Sequence, residues 1–269
     1  MPSSTAARLL ASSVAVVVLA LAVGGCSNIA GPETTASIGK TNATPRTEAE
    51  WRQSLETLGA RYRENPGDAD TAIAYARALR ATDQRAQAVA VLEQANIRNP
   101  RSMPLSGAYG RALAEAGQYQ QALEALGRAH TPDNPDWRIL NAQGAVLDQM
   151  GRHAEAQRHY DTALKIVPNE PSVLSNLGLS YLLAKDLKKA EDTLRRAVAQ
   201  PNAGPKVRQN LALVVGLRGR FAEAEKIASA DLPEAEATAN VSYLRQMLAQ
   251  QNDWKKIGRS YAPTPDAGS

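Results

Sequence analysis

The chain has 269 residues, 31 Lys and Arg against 27 Asp and Glu, a formal charge of +4, three Trp, one Phe and a single Cys. One cysteine excludes an intramolecular disulfide, and the mild charge, dispersed without a basic stripe or interleaved aromatics, argues against nucleic-acid binding. Abundant Ala, Leu, Glu, Gln and Arg, with few β-branched runs beyond residue 25, predict an all-α body.

The chain opens with Arg8 and an apolar run from Leu9 to Val23, closed by Gly24, Gly25 and Cys26. A basic start, a short apolar run and small residues at its end form a secretory signal peptide, residues 1–25. A transmembrane helix needs about 20 apolar residues, and Gly24, Gly25, Ser27 and Asn28 cut this run short. The small pair before Cys26 resembles the lipobox of bacterial lipoproteins. That resemblance implies a diacylglyceryl group on the Cys26 sulfur, cleavage before it and acylation of the new amine. Two or more acyl chains anchor stably where one holds only marginally. Ser27, where inner-membrane retention usually shows Asp, implies by the same resemblance an outer-membrane lipoprotein facing the periplasm. Residues 26–46 are rich in Ser, Thr, Gly, Pro and Asn, too polar to offset ordering entropy. They read as a flexible linker spanning roughly 25 Å.

From residue 47 to 257 the sequence repeats. Ala88, Ala122, Ala156, Ala190 and Ala224 recur every 34 residues. The same step links Ala76, Gly110, Gly144, Gly178 and Ala212; Ala95, Ala129, Ala163 and Ala197; and Leu92, Leu126, Tyr160 and Leu194. A 34-residue period resembles the tetratricopeptide repeat, a helix–turn–helix unit, and Trp137 to Pro168 fits that family's pattern best. The resemblance implies an all-α, right-handed solenoid with capping helices. The physics agrees: small residues let two crossing helices approach, and large ones fill the gaps beside them. Gly117, Gly151 and Gly219 fall between paired helices, where a left-handed residue is wanted. Pro66, Pro100, Pro132, Pro168, Pro201 and Pro233 fall near repeat ends, where they stop helices.

Trp51 to Pro66 reads as the second helix of an incomplete leading repeat. Val241, Leu244 and Leu248 form a helical stripe, and Asn252-Asp253-Trp254 reads as the start of a truncated repeat. Both ends read as caps, which keep a solenoid's terminal apolar face out of water. Residues 258–269 read as a disordered tail.

No metal, phosphate-loop or nucleophile-elbow motif occurs, so the chain is read as neither an enzyme nor cofactor-dependent. His153 falls in the column of Tyr119, Leu187 and Phe221 and reads as packing; His159, six residues on, cannot share its helix face. What remains is recognition on the concave face lined by the first helix of each repeat. By the resemblance, ligand-facing slots hold Arg77, Arg111, Arg138, Asn141, Asn176, Lys206 and Asn210. Amides bond an extended peptide's backbone and cations meet a carboxylate. Leu179, Leu182, Leu183, Leu213 and Leu217 add an apolar stretch suited to an amphipathic helix.

Val207 to Phe221, Ala237 to Leu248 and the Trp137–Pro168 repeat resemble the TadD lipoproteins of the tight-adherence (Flp) pilus system. This implies a pilotin-like accessory factor that helps the pilus secretin, or another component of that machinery, assemble or insert in the outer membrane. The alternative is a general envelope scaffold, an adaptor for outer-membrane protein assembly or for cell-wall hydrolases.

Overall fold

The computed structural model describes residues 47–260, with side chains to residue 250. The expected signal peptide, Cys26, the expected linker to residue 46 and residues 261–269 of the expected tail lie outside the described residues.

Twelve helices make up the described chain. A leading helix α1 (Glu48–Glu64) precedes five hairpins. These are α2 (Ala69–Ala81) with α3 (Arg85–Arg98), α4 (Met103–Glu115) with α5 (Tyr119–Gly127), α6 (Trp137–Gln149) with α7 (His153–Ile166), α8 (Pro171–Leu183) with α9 (Leu187–Val198), and α10 (Pro205–Leu217) with α11 (Phe221–Ala228). Helix α12 (Glu234–Ser260) closes the stack.

Each hairpin begins and turns for local reasons that recur at the period. The first helices of four repeats start on Asp68, Ser102, Asp136 and Glu170, whose side chains accept from backbone N–H groups of the first turn. Each first helix ends in a residue of positive φ: Asp83 (60°), Gly117 (77°), Gly151 (75°), Lys185 (66°) and Gly219 (82°). The next residue then donates back across the turn. Gln84 N–H bonds Leu79 C=O at 2.8 Å, and Gln118, Arg152, Asp186 and Arg220 make the same bond. This left-handed closure satisfies helix-end carbonyls and reverses the chain.

The small-residue column lies where the two helices of a hairpin cross. A Cβ at Gly110 would stand 2.6 Å from Leu126 Cγ, one at Gly144 2.6 Å from Tyr160 Cε1, and one at Gly178 2.6 Å from Leu194 Cγ. Such distances are well inside carbon–carbon contact. The alanine columns are buried alongside: Ala88, Ala122, Ala156, Ala190 and Ala224 are all fully enclosed.

First helices pack backbone to backbone on their counterparts in the next repeat, α2 on α4, α4 on α6, α6 on α8 and α8 on α10, whereas the backbones of second helices stand further apart and meet through long side chains, as Arg195 of α9 does with Glu223 of α11. First helices therefore line the inner, concave radius and second helices the convex one. At the far end α12 packs on α10 and α11, with Leu244 against Gly216 and with Ala237 and Val241 buried.

Three details depart from the sequence reading. Helix α5 stops at Gly127, well before Pro132, and the chain turns through a bridge between Thr131 and Asn134. Helix α12 runs unbroken past residue 252, so no new repeat starts at Asn252-Asp253-Trp254. His153 does more than pack: its Nδ1 lies 2.8 Å from Asp148 Oδ1, where Ser180 Oγ also donates at 2.8 Å. The hydroxyl of Tyr160 donates to the other oxygen at 3.0 Å. A nearly buried carboxylate thus ties together α6, α7 and α8.

Candidate protein-binding groove

The inner face carries a cavity of about 580 Å³ formed by α4, α6 and the start of α8, with Tyr119 of α5 at its edge. The structure brings four of the expected residues together there: Arg111, Arg138, Asn141 and Asn176. Sequence reasoning missed Trp137 and Tyr119, which supply apolar area, and Glu115 and Glu170.

The side chains are held in place. Arg138 stacks its guanidinium over Trp137, 4.5 Å from the ring centroid, a favourable cation–π geometry. Glu115 is gripped by Arg80, whose Nε lies 2.7 Å from Oε2 while a second guanidinium nitrogen takes Oε1. Glu170 caps α8 through the Ser172 N–H at 3.3 Å and accepts from Ser172 Oγ at 2.9 Å. Both acids are therefore engaged by the fold. The Asn176 amide donates to Asn141 Oδ1 at 3.0 Å, bridging α8 and α6. That bond leaves Asn141 Nδ2 and Asn176 Oδ1, a donor and an acceptor, for a third group.

The other expected residues lie elsewhere. Arg77 stands over Trp51, 5.6 Å from the ring centroid, at the first repeat. Asn210 donates to Ser175 Oγ at 2.9 Å, joining α10 to α8. Lys206 is exposed on the first turn of α10. Leu179, Leu183, Leu213 and Leu217 are partly exposed on α8 and α10, while Leu182 packs against the core.

A second polar centre joins the fourth and fifth repeats. Glu191, 4% exposed, is ringed by Arg195, Arg218 and Arg220, with Arg195 Nε at 2.8 Å. Burial works against its charge, but hydrogen bonds from Arg220, Arg195 and Arg218 override it and hold the carboxyl down at about 2. Burial and then the Asp148 carboxylate push the Tyr160 phenol far above its ordinary value. Among the described residues, no three His, Cys, Asp or Glu side chains are grouped to hold a metal ion, and no helix is long and apolar enough to cross a membrane.

Residues 138–202 match one tetratricopeptide-repeat model and residues 69–94 another. These matches fall on the first, third and fourth hairpins, and the fold is that of a tetratricopeptide solenoid. No curated protein matches the sequence. Among solved structures, the tetratricopeptide solenoid is similar to PilW, described as a widely conserved type IV pilus biogenesis factor. The TM-score is 0.63 at 17% identity, over 72% of this chain and 91% of that one. It is also similar to a tetratricopeptide repeat protein from Parabacteroides merdae ATCC 43184, with TM-score 0.59 and 17% identity over 81% of this chain and 89% of that one. A chain of the APC/C hetero-tetramer Cut9-Hcn1 aligns with TM-score 0.59 and 16% identity, over 73% of this chain and 40% of its own length. At these identities the likeness is one of fold.

Proposed function

We propose that this protein is a lipid-anchored, protein-binding scaffold of the bacterial envelope, an accessory factor that assists assembly or outer-membrane insertion of the tight-adherence pilus secretin. One observation carries the binding reading: Arg111, Arg138, Asn141 and Asn176 converge on a single cavity of the tetratricopeptide inner face. The donor and acceptor left over by the two asparagines match the C=O and N–H of an extended peptide backbone, and the arginines suit its acidic groups. The pilus assignment is supported by the TadD-like stretches and by fold similarity to PilW, itself a pilus biogenesis factor. The anchor assignment rests on Cys26 and its small neighbours. Tethering through Cys26 raises the local concentration of the groove at the target membrane, so modest affinity suffices.

Two variants test the proposal. Cys26→Ser leaves the precursor uncut and removes the protein from the outer-membrane fraction, and assembled secretin rings decline with it. Arg111→Gln with Arg138→Gln, in the anchored protein, weakens secretin capture ten-fold or more, since charge-assisted hydrogen bonds contribute about 1.5–3 kcal/mol each. Undiminished capture by a folded double variant, or normal ring yield with Cys26→Ser, would refute the corresponding half.

A further inference from the structure

The inner face changes chemistry along its length, and the change is visible in two columns of first-helix positions. One column reads Arg77, Arg111, Ala145, Leu179 and Leu213; the other reads Ala81, Glu115, Gln149, Leu183 and Leu217. All four leucines are partly exposed and none enters the buried core. The first three repeats fold with Arg, Ala, Glu and Gln in these slots, so the solenoid itself does not require leucine there. The four side chains form a rectangle about 6 Å along each helix and about 10 Å between helices. Met247 of α12, also partly exposed, continues the first column one period further.

Two cations bracket the rectangle. Lys206 lies on the first turn of α10 and Lys185 directly beyond the end of α8; both are exposed, and neither forms an ion pair among the described residues. Lys185 holds φ at 66° in a slot that three other repeats fill with glycine.

We propose that the fourth and fifth repeats form a second subsite that takes an amphipathic helix with an apolar stripe and acidic flanks. Leucine side chains offer a ligand backbone no hydrogen-bonding group, and the Asn210 amide beside them gives an N–H to Ser175 and has no second amide next to it of the kind that Asn141 gives Asn176. A segment lying here must therefore satisfy its own backbone, which a helix does. Two turns of an apolar stripe cover the leucine rectangle, and acidic ends meet Lys185 and Lys206. The subsite rests on the protein-binding reading above and extends it: the polar cavity between the second repeat and the start of the fourth holds an extended segment while the leucine face holds a helical one.

The test uses the purified protein and a fluorescein-labelled peptide of about 18 residues, about five helical turns, with a leucine stripe and glutamates at both ends. Fluorescence anisotropy is expected to show saturable binding. Changing the stripe leucines to serine abolishes it, and changing the glutamates to lysine weakens it at least ten-fold. Leu179→Ser with Leu213→Ser weakens binding at least ten-fold while circular dichroism is unchanged. Asn141→Ala with Asn176→Ala leaves this peptide's binding intact. Lys185→Gly weakens the peptide several-fold yet raises the melting temperature, a split that a merely structural lysine would not show. Equal binding of the leucine and serine peptides, or no binding at all, overturns the subsite. Because the peptide arms need no protein variant, the result stands even if a leucine variant misfolds. Loss of secretin capture in the arginine variant with unchanged binding of this peptide would separate the two subsites; failure to capture secretin with intact peptide binding would sink the pilus assignment alone.

Discussion

Gly144→Ala is the sharpest probe of how the repeat is held together. The added Cβ would stand 2.6, 2.7 and 2.9 Å from three ring atoms of Tyr160, about 1 Å inside contact distance. Tyr160 is 1% exposed, and its hydroxyl is fixed to Asp148 Oδ2 at 3.0 Å. The ring can yield only by prying α7 from α6 or by giving up that bond. Overpacking costs about 1–3 kcal/mol, and leaving Asp148 one donor short adds about 1 kcal/mol. Replacing glycine in a helix returns about 1 kcal/mol. The balance is a loss of about 2 kcal/mol, a fall in Tm of roughly 4–8 °C for a body of this size. Thermal melting by circular dichroism reads the total, and amide exchange should show faster opening spreading from α6 and α7 into α8, because stacked repeats share their interfaces. The second arm is Gly144→Ala with Tyr160→Leu. Ala76 and Leu92 occupy the same two slots in the first repeat and share a core cluster, each 1% exposed, so the pair is compatible with this crossing. The double variant should cost less than the sum of the single changes. A parent-like melt for Gly144→Ala, or strict additivity in the double variant, would refute steric contact at this crossing as the cause.

Gly151→Ala tests the turn alone: φ is 75° and nothing lies within 4 Å of the added Cβ, so about 1 kcal/mol is lost through backbone strain, read as a small drop in Tm with no change in groove binding. Glu191 gives a pH signature. Its folded value of about 2 lies below the ordinary 4.5, so its contribution is fully present above pH 4.5 and disappears as pH falls through 2. The shift corresponds to about 3 kcal/mol, which solvent screening of the partly exposed arginines reduces to roughly 1–2 kcal/mol. Urea titration should therefore show Glu191→Gln less stable than the parent by that margin at pH 7, with the gap narrowing as pH falls below 4.5 and closing near pH 2. Ser180→Ala removes a donor from Asp148 across the α6–α8 boundary and should cost about 1 kcal/mol; a parent-like urea midpoint would show that bond to be dispensable.

The period made most of the fold legible because the forces that set it act on side-chain size. Gly110, Gly144 and Gly178 stand at crossings where any larger group collides, and their partners Leu126, Tyr160 and Leu194 follow sixteen residues later in each case. Size leaves a mark in composition that survives without coordinates. Glycine at 117, 151 and 219 marked the turn for the same kind of reason, but Asp83 and Lys185 take the same left-handed geometry and carried no sign of it, since strain at a single residue costs little enough for another residue type to persist there. The end of α12 was misread because Asn252-Asp253 resembles a turn signal while the helix simply continues.

The site was less legible, and the reason is geometric. The polar ties between neighbouring first helices join residues 35 apart: Arg80 to Glu115, Asn141 to Asn176 and Ser175 to Asn210. A search at the 34-residue period places Asn176 and Asn210 in one column and leaves Asn141 in another. Read that way, the two asparagines look like repeated outward amides. In the folded chain each donates to a side chain on the preceding first helix, offset by one residue because adjacent helices are staggered. The period thus reports which residues are equivalent, whereas recognition depends on which residues are neighbours. Asn176 illustrates the difference. Its equivalent, Asn210, sits beside Ser175 and away from the cavity, while its neighbour Asn141 shares the cavity with it and turns two spent amides into one donor and one acceptor facing the same space. The capacity to hold an extended backbone therefore belongs to the junction between the third and fourth repeats and to no single repeat, which is why no one 34-residue unit displays it.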